Sequence, residues 1–273
     1  METPASERGS DDADRTLSTL ARATEIVEVL MGSGGATVAE LAEELDTSKS
    51  TVYNYVSTLQ ADNWLVKQGS EYHLSLRFFR VGAFVRTSGT LFGPARPKIE
   101  GLAEETGETV HLSTEQHDRQ IHLYKAHGPE SVGSEYHQQK LHTSAHLHDT
   151  ATGKAILAAL PRERVETIVE THGLPATTDR TITDRGELFE TLEAIRERGY
   201  ACNDEEEIRG IRAVGAPLRN QAGDVLGSIS VSGPTSRLRG DRFHEELPEL
   251  VVRTANVIEV NIDMGTRLSE GET

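Results

Sequence analysis

Cysteine is almost absent: Cys202 stands alone in 273 residues, which excludes an intrachain disulfide and a multi-thiolate zinc site and suits a reducing compartment. Lysine is scarce too, with 6 Lys against 22 Arg, and 44 Asp and Glu leave a formal charge of −16. That balance excludes a general polyanion binder but leaves room for one local nucleic-acid patch. Abundant carboxylates with little Lys are the composition of a halophilic protein, since molar salt screens the self-repulsion of an acidic surface. No apolar run reaches the roughly 18 residues of a membrane span. The polar, acidic opening METPASERGSDDADR lacks a signal-peptide pattern. These absences predict a soluble, cytoplasmic protein with no membrane partner, long enough for one or two domains.

Residues 1–14 read as a disordered acidic tail. From Thr16 to Met31, Leu20, Ile26, Val27, Val29 and Leu30 suit an amphipathic helix that Gly32-Ser33-Gly34-Gly35 ends. Thr37-Val38-Ala39-Glu40 is a capping-box sequence that opens a helix over Val38–Leu45. Asp46-Thr47-Ser48 breaks and re-caps the chain before a third helix that runs to Ala61. Trp64–Gln68 and Glu71–Ser75 alternate around Gly69-Ser70, a hairpin with a two-residue turn. Three helices and a hairpin in this order make a winged helix-turn-helix.

In the third helix Val52, Tyr55, Val56 and Leu59 have core spacing, so Ser50, Asn54 and Ser57 face outward, flanked by Lys49, Thr51 and Tyr53. Side chains that hydrogen-bond base edges or phosphates crowd the amino end, which itself attracts phosphate. Thr47, Ser48, Lys49, Ser50, Thr51, Tyr53 and Asn54, with Lys67 on the wing, are therefore the candidate DNA contacts. Residues 15–76 form this domain and 77–92 a linker and dimerisation helix, with Phe78, Val81 and Val85 as an apolar stripe.

Residues 93–267 mix strands and helices as one α/β (α+β) domain. A helix is predicted over Pro97–Thr106, strands near Thr109–Thr114 and Gln120–Ala126, then helices near Ala151–Leu160, Arg162–Thr171 and Gly186–Arg198. Strands follow near Tyr200–Asn203, Arg212–Arg219 and Val225–Ser232, and a helix from Asp241 closes the chain. Gly153-Lys154 is no phosphate loop, because His148 and Ala155 stand where Gly and Ser or Thr are needed. Asp149-Thr150-Ala151-Thr152 starts a helix whose amides either bind an anionic group or are simply capped. Ser228, Ser230 and Ser232 share one strand face, readable as a solvated surface. Eight of eleven His lie between His111 and His148; His142, His146 and His148 with Asp149 could ligate zinc or nickel, but His-x-His alone is weak, and the favoured reading is surface or helix-capping histidines. The acidic run Asp204–Glu207 reads as a solvated turn, and Cys202 as a buried apolar residue.

TVAELAEELDTSKSTVYNYVSTLQADNWLVKQGSEYHLSLRFFRVG resembles the amino-terminal domain of IclR-family transcription regulators. LHDTATGKAILAALP, TDRTITDRGELFETLEAIRERGYACNDEEEIRGIRAVGAPL and GSISVSGPTSRL resemble that family's effector domain, so the likeness spans roughly residues 15–265. The resemblance implies a winged helix-turn-helix followed by a GAF-like effector-binding domain. It also implies a homodimer or dimer of dimers that binds double-stranded operator DNA as repressor or activator. The implied effector is a small metabolite such as an organic acid or a sugar-derived compound. Matching positions give effector contacts at Thr150, Ala151, Thr152, Gly153, Asn203, Ala213, Ser230 and Ser232. Asn203 and Ala213 depart from the Asp and Cys of some relatives, so this pocket is expected to be less acidic and to lack the thiol, while the helix-start amides of Ala151 and Thr152, facing Ser230, Ser232 and Asn203, are expected to offer donors without a fixed cation. No cofactor, metal or catalysis is expected. A His-dependent metalloenzyme with an accessory DNA-binding domain is the alternative.

Overall fold

A computed structural model describes residues 17–132 and 146–270, with side chains to residue 265. The acidic tail and His142 fall outside the described residues. The chain parts into two compact units between Val85 and Arg86.

In the first unit α1 (Ser18–Ser33), α2 (Val38–Glu44) and α3 (Lys49–Ala61) pack on a three-stranded antiparallel sheet. The capping box closes as its residue types dictate: Glu40 N donates to Thr37 Oγ1 at 3.3 Å and Thr37 N to Glu40 Oε2 at 2.8 Å. Ile26, Leu30, Leu41, Val52, Val56 and Tyr72 form the buried core, with Tyr55 and Leu59 packed against it, as the spacing in α3 requires. Strands β2 (Leu65–Gln68) and β3 (Glu71–Leu74) form the wing. Gly69 at φ +62° takes the first turn position, which a type II′ hairpin reserves for glycine. Strand β1 (Ala36–Thr37), which pairs with Tyr72 and Glu71, was not expected, because two residues carry no period to read.

Helix α4 (Leu76–Ser88) leaves the wing through a stacked joint. Trp64 packs on Phe78 at 4.9 Å, and the Arg77 guanidinium lies 4.3 Å over the Trp64 ring. The expected stripe is thereby corrected: Phe78 is taken up by Trp64, while Leu76, Phe79, Val81 and Val85 are exposed.

The second unit is a five-stranded antiparallel sheet of order β5-β4-β8-β7-β6. Its strands are β4 (Thr109–Gln116), β5 (Arg119–His127), β6 (Ala201–Asp204), β7 (Ile211–Arg219) and β8 (Val225–Pro234). Helices α5 (Phe92–Thr106) and α9 (Leu247–Glu270) cover one face, where Ile99, Val110, Leu112, Val214, Ile229, Val231, Val251 and Ile258 share a core. Helix α5 begins five residues before the expected Pro97, which lies inside it and gives up one helical donor, whereas Pro94 sits in the first turn, where an amide has no helical acceptor to lose. On the other face α6 (Ala151–Ala159) lies against β4, β7 and β8, backed by α7 (Arg162–His172) and α8 (Arg185–Arg198) around Leu157, Val165, Leu188 and Ile195.

Candidate functional site

The amino end of α3 is built from hydroxyls. Ser48 caps it by accepting from Thr51 N at 3.1 Å, and its Oγ lies 2.8 Å from both Ser50 Oγ and Thr51 Oγ1. Lys49, Ser50, Tyr53 and Asn54 are exposed beside this cap, while Thr47 and Thr51 are half-buried. Lys67 is exposed on the wing, its Nζ 5.2 Å from the Tyr72 ring centre. Other cations nearby are already used. Arg22 donates to the Leu45 carbonyl at 3.0 Å and pairs with Glu25, and Arg77 is clamped on Trp64 while donating to the Asp62 carbonyl. Among the described residues of this unit Lys49, Lys67 and Arg80 are the exposed cations, and of these Lys49 and Lys67 belong to α3 and the wing while Arg80 lies on α4.

The inner sheet face of the second unit carries a small cleft lined by polar side chains. Its floor is His111 of β4, Ser230 and Ser232 of β8 and Ala213 of β7. Gln120, His122 and Lys125 of β5 form one side, Thr150–Thr152 at the start of α6 the roof, and Asn203, Glu207, Ile208 and Ile211 the far wall. Register explains the floor, since β8 lies between β4 and β7 with Ser230 opposite both His111 and Gly215. The three serines are buried rather than solvated, against the surface reading. Ser228 is set apart, because it donates to the Thr152 carbonyl at 3.0 Å and anchors α6.

Polar groups of the cleft form a connected network. His111 Nε2 lies 2.9 Å from Ser232 Oγ, and His122 Nδ1 lies 2.9 Å from Ser113 Oγ. Thr150 donates to Gln120 Oε1 at 2.5 Å while accepting from Gly153 N at 2.8 Å. Lys154 N donates to the Thr150 carbonyl at 3.0 Å, so the helix-start amides with no capping acceptor are those of Ala151 and Thr152. Positive end charge and open donors therefore point into the same space as Lys125.

Seven of the eight effector positions line this cleft, and two roles need correction. Gly153 does not: a Cβ there would lie 2.2 Å from the Leu147 carbonyl oxygen, so its glycine serves close packing behind the roof. Asn203 lines the cleft but spends its amide on the protein, with Nδ2 donating to the Asp149 carbonyl at 2.6 Å and Oδ1 accepting from Glu206 N at 3.1 Å. The expectation of no fixed cation also fails, since Lys125 stands in the wall. His111, Gln120, His122, Lys125 and Glu207 were missed. The alternation Thr109, His111, Ser113 in β4 carries the same signal as the β8 serines, but only strand order brings the two together.

The acidic run is likewise not a solvated turn. Glu206 is buried on Lys154, Glu207 lines the cleft, and Asp204 and Glu205 pair with Arg180. Burial pushes the Cys202 thiol up, away from thiolate reactivity. Burial, then the Arg119 guanidinium 2.9 Å away, lowers the pKa of His146. His148 is lowered by burial although its Nε2 donates to the Pro175 carbonyl at 3.1 Å. The arginine against His146 opposes the metal reading. Among the described residues no group of three or more His, Cys, Asp or Glu could hold a metal ion.

Comparison with known proteins fits this anatomy. The IclR helix-turn-helix domain model matches residues 19–69, and the model of the bacterial transcriptional regulator IclR C-terminal domain matches residues 85–260. The probable HTH-type transcriptional regulator ArcR of Halobacterium salinarum is 39% identical over 94% of this chain and 98% of its own. The Thermotoga maritima IclR crystal structure superposes with a TM-score of 0.72 at 28% identity, over 90% of this chain and 99% of that one. An IclR homologue from Microbacterium hydrocarbonoxydans, crystallised with 4-hydroxybenzoate, shares the fold with a TM-score of 0.76 at 19% identity, over 89% and 98%. These relatives are regulators rather than enzymes, which leaves the metalloenzyme alternative unsupported. The chain belongs to the IclR family of DNA-binding transcription regulators.

Proposed function

We propose that this regulator acts in the cytoplasm as a homodimer, reading two operator half-sites with the amino end of α3 and the wing, and changing its DNA affinity when a small carboxylate-bearing metabolite enters the cleft. Dimerisation is supported by the exposed Leu76, Phe79, Val81 and Val85 of α4 and by the paired half-sites that helix-turn-helix modules use. The observation that carries the effector class is the convergence of the Ala151 and Thr152 amides, Lys125 and the Ser230 and Ser232 hydroxyls on one cleft. A carboxylate at the roof would meet donors and a cation, and its polar remainder would meet the serine floor.

Thermal-shift screening of the full chain against small carboxylates, matched with their uncharged amides, tests this reading. Carboxylates are expected to raise Tm where the amides do not. The Ser230→Ala/Ser232→Ala variant is expected to lose the shift and the ligand-dependent change in DNA binding while keeping its DNA affinity. An unchanged ligand response in that variant would reject the cleft as the effector site.

A further inference from the structure

Lys154 and Glu206 form a buried ion pair that no contact with DNA or with a cleft ligand requires. Lys154 is 1% and Glu206 8% exposed, and the Lys154 Nζ donates to both carboxylate oxygens. Lys154 belongs to α6, three residues after the Ala151 roof, and Glu206 directly precedes Glu207 and Ile208 of the far wall. The pair therefore bridges the two elements whose separation sets the width of the cleft. We infer that Lys154 and Glu206 are positioning residues of the effector cleft, holding the 204–210 loop at a fixed distance from the start of α6. The inference rests on reading the cleft as the effector site.

Three further contacts converge on the same loop. Thr181 Oγ1 donates to the Glu206 carbonyl at 2.6 Å, Thr178 Oγ1 to the Glu205 carbonyl at 2.8 Å, and Asn203 ties the loop back to Asp149. Glu205 holds φ +65°, a left-handed conformation uncommon for a residue with a side chain, which this set of bonds keeps in place. A buried ion pair is a poor source of net stability, because desolvating two charges offsets their attraction and an apolar pair of similar volume does as well or better. What it supplies instead is direction: the ammonium fixes both carboxylate oxygens, whereas apolar contacts would let the loop slide along α6. Burial raises the Glu206 carboxyl and the Lys154 charge opposes that rise, so the charged pair holds only while the two remain together.

Hydrogen exchange read by mass spectrometry on the full chain, without ligand, tests this. The variants are Glu206→Gln and the apolar double replacement Lys154→Met/Glu206→Met. The double variant is expected to melt at or above the parent temperature, yet to exchange at least about tenfold faster over residues 203–211 and at the bonded Gly153 and residue-154 amides of α6. Protection in α5 and α9 is expected to stay at the parent level. Parent-like protection of the loop in either folded variant would overturn the inference. So would loss of protection spread evenly over the unit, or failure of both variants to fold, since each makes the pair a general stabiliser. Because no ligand is added, this outcome stands apart from the carboxylate screen, and either can fail without the other.

Discussion

The sharpest consequence concerns salt. Each phosphate neutralised by a protein cation releases counterions, so log affinity for duplex DNA falls with log salt by about 0.9 per contact. Residues 15–78 hold 8 acidic and 5 basic side chains, and the structure engages Arg22 and Arg77 within the protein. With Arg15 outside the described residues and Lys49 and Lys67 taken as the working cations, the slope should be about −1.8 per half-site and about −3.6 for a two-fold operator. Six cationic contacts per half-site would give about −5 and about −11 instead. The remaining donors are neutral: on the proposed reading Ser48, Ser50, Thr51, Tyr53 and Asn54 would bond phosphates and bases without releasing ions. Fluorescence anisotropy with a labelled operator duplex from 0.2 to 2 M KCl would read the slope. Lys49→Gln should flatten it by about 0.9 per half-site. Ser50→Ala and Asn54→Ala should each cost about 1 kcal/mol, roughly fivefold in affinity, at every salt concentration without changing the slope. A parent slope of −8 or steeper on a two-fold site would refute the reasoning.

Other expectations follow from the same anatomy. Thr37→Ala removes the hydroxyl half of the α2 capping box, the acceptor of Glu40 N, and should cost about 1 kcal/mol of stability in urea titration, with the denaturant slope unchanged. Val81→Ser/Val85→Ser should shift a dimeric mass toward monomer by light scattering in high salt and weaken operator binding; an unchanged dimer would remove α4 from the interface. His148 is held neutral by burial, so the unfolded chain takes up its proton first as pH falls below about 6.5, and stability drops through that range. The parent Tm should therefore fall more steeply than that of His148→Gln between pH 7 and pH 5, and parallel curves would show that His148 does not carry the loss.

Elements with a repeating pattern or a cap were legible in the chain. Val52 and Val56 announce α3, Thr37 and Glu40 announce α2, and the Ser-Ile-Ser-Val-Ser alternation announces β8 with its two faces. The roof of the cleft was legible from Thr150 and the helix start after it. The rest depended on strand order: His111 and Lys125 join the serines only because β4 lies between β5 and β8, a pairing between segments more than 100 residues apart. Glu206 shows the limit from the other side. Within a run of four carboxylates nothing local marks it as buried, and its partner Lys154 lies 52 positions away on another element.

Chromatin immunoprecipitation of the tagged protein in its own cell, with parent and Ser50→Ala/Asn54→Ala chains side by side, addresses the central claim most directly. Discrete parent peaks over a pseudo-palindromic site, emptied in the variant at equal protein level, are expected. Peaks retained by the variant, or binding spread without discrete sites in the parent, would contradict it.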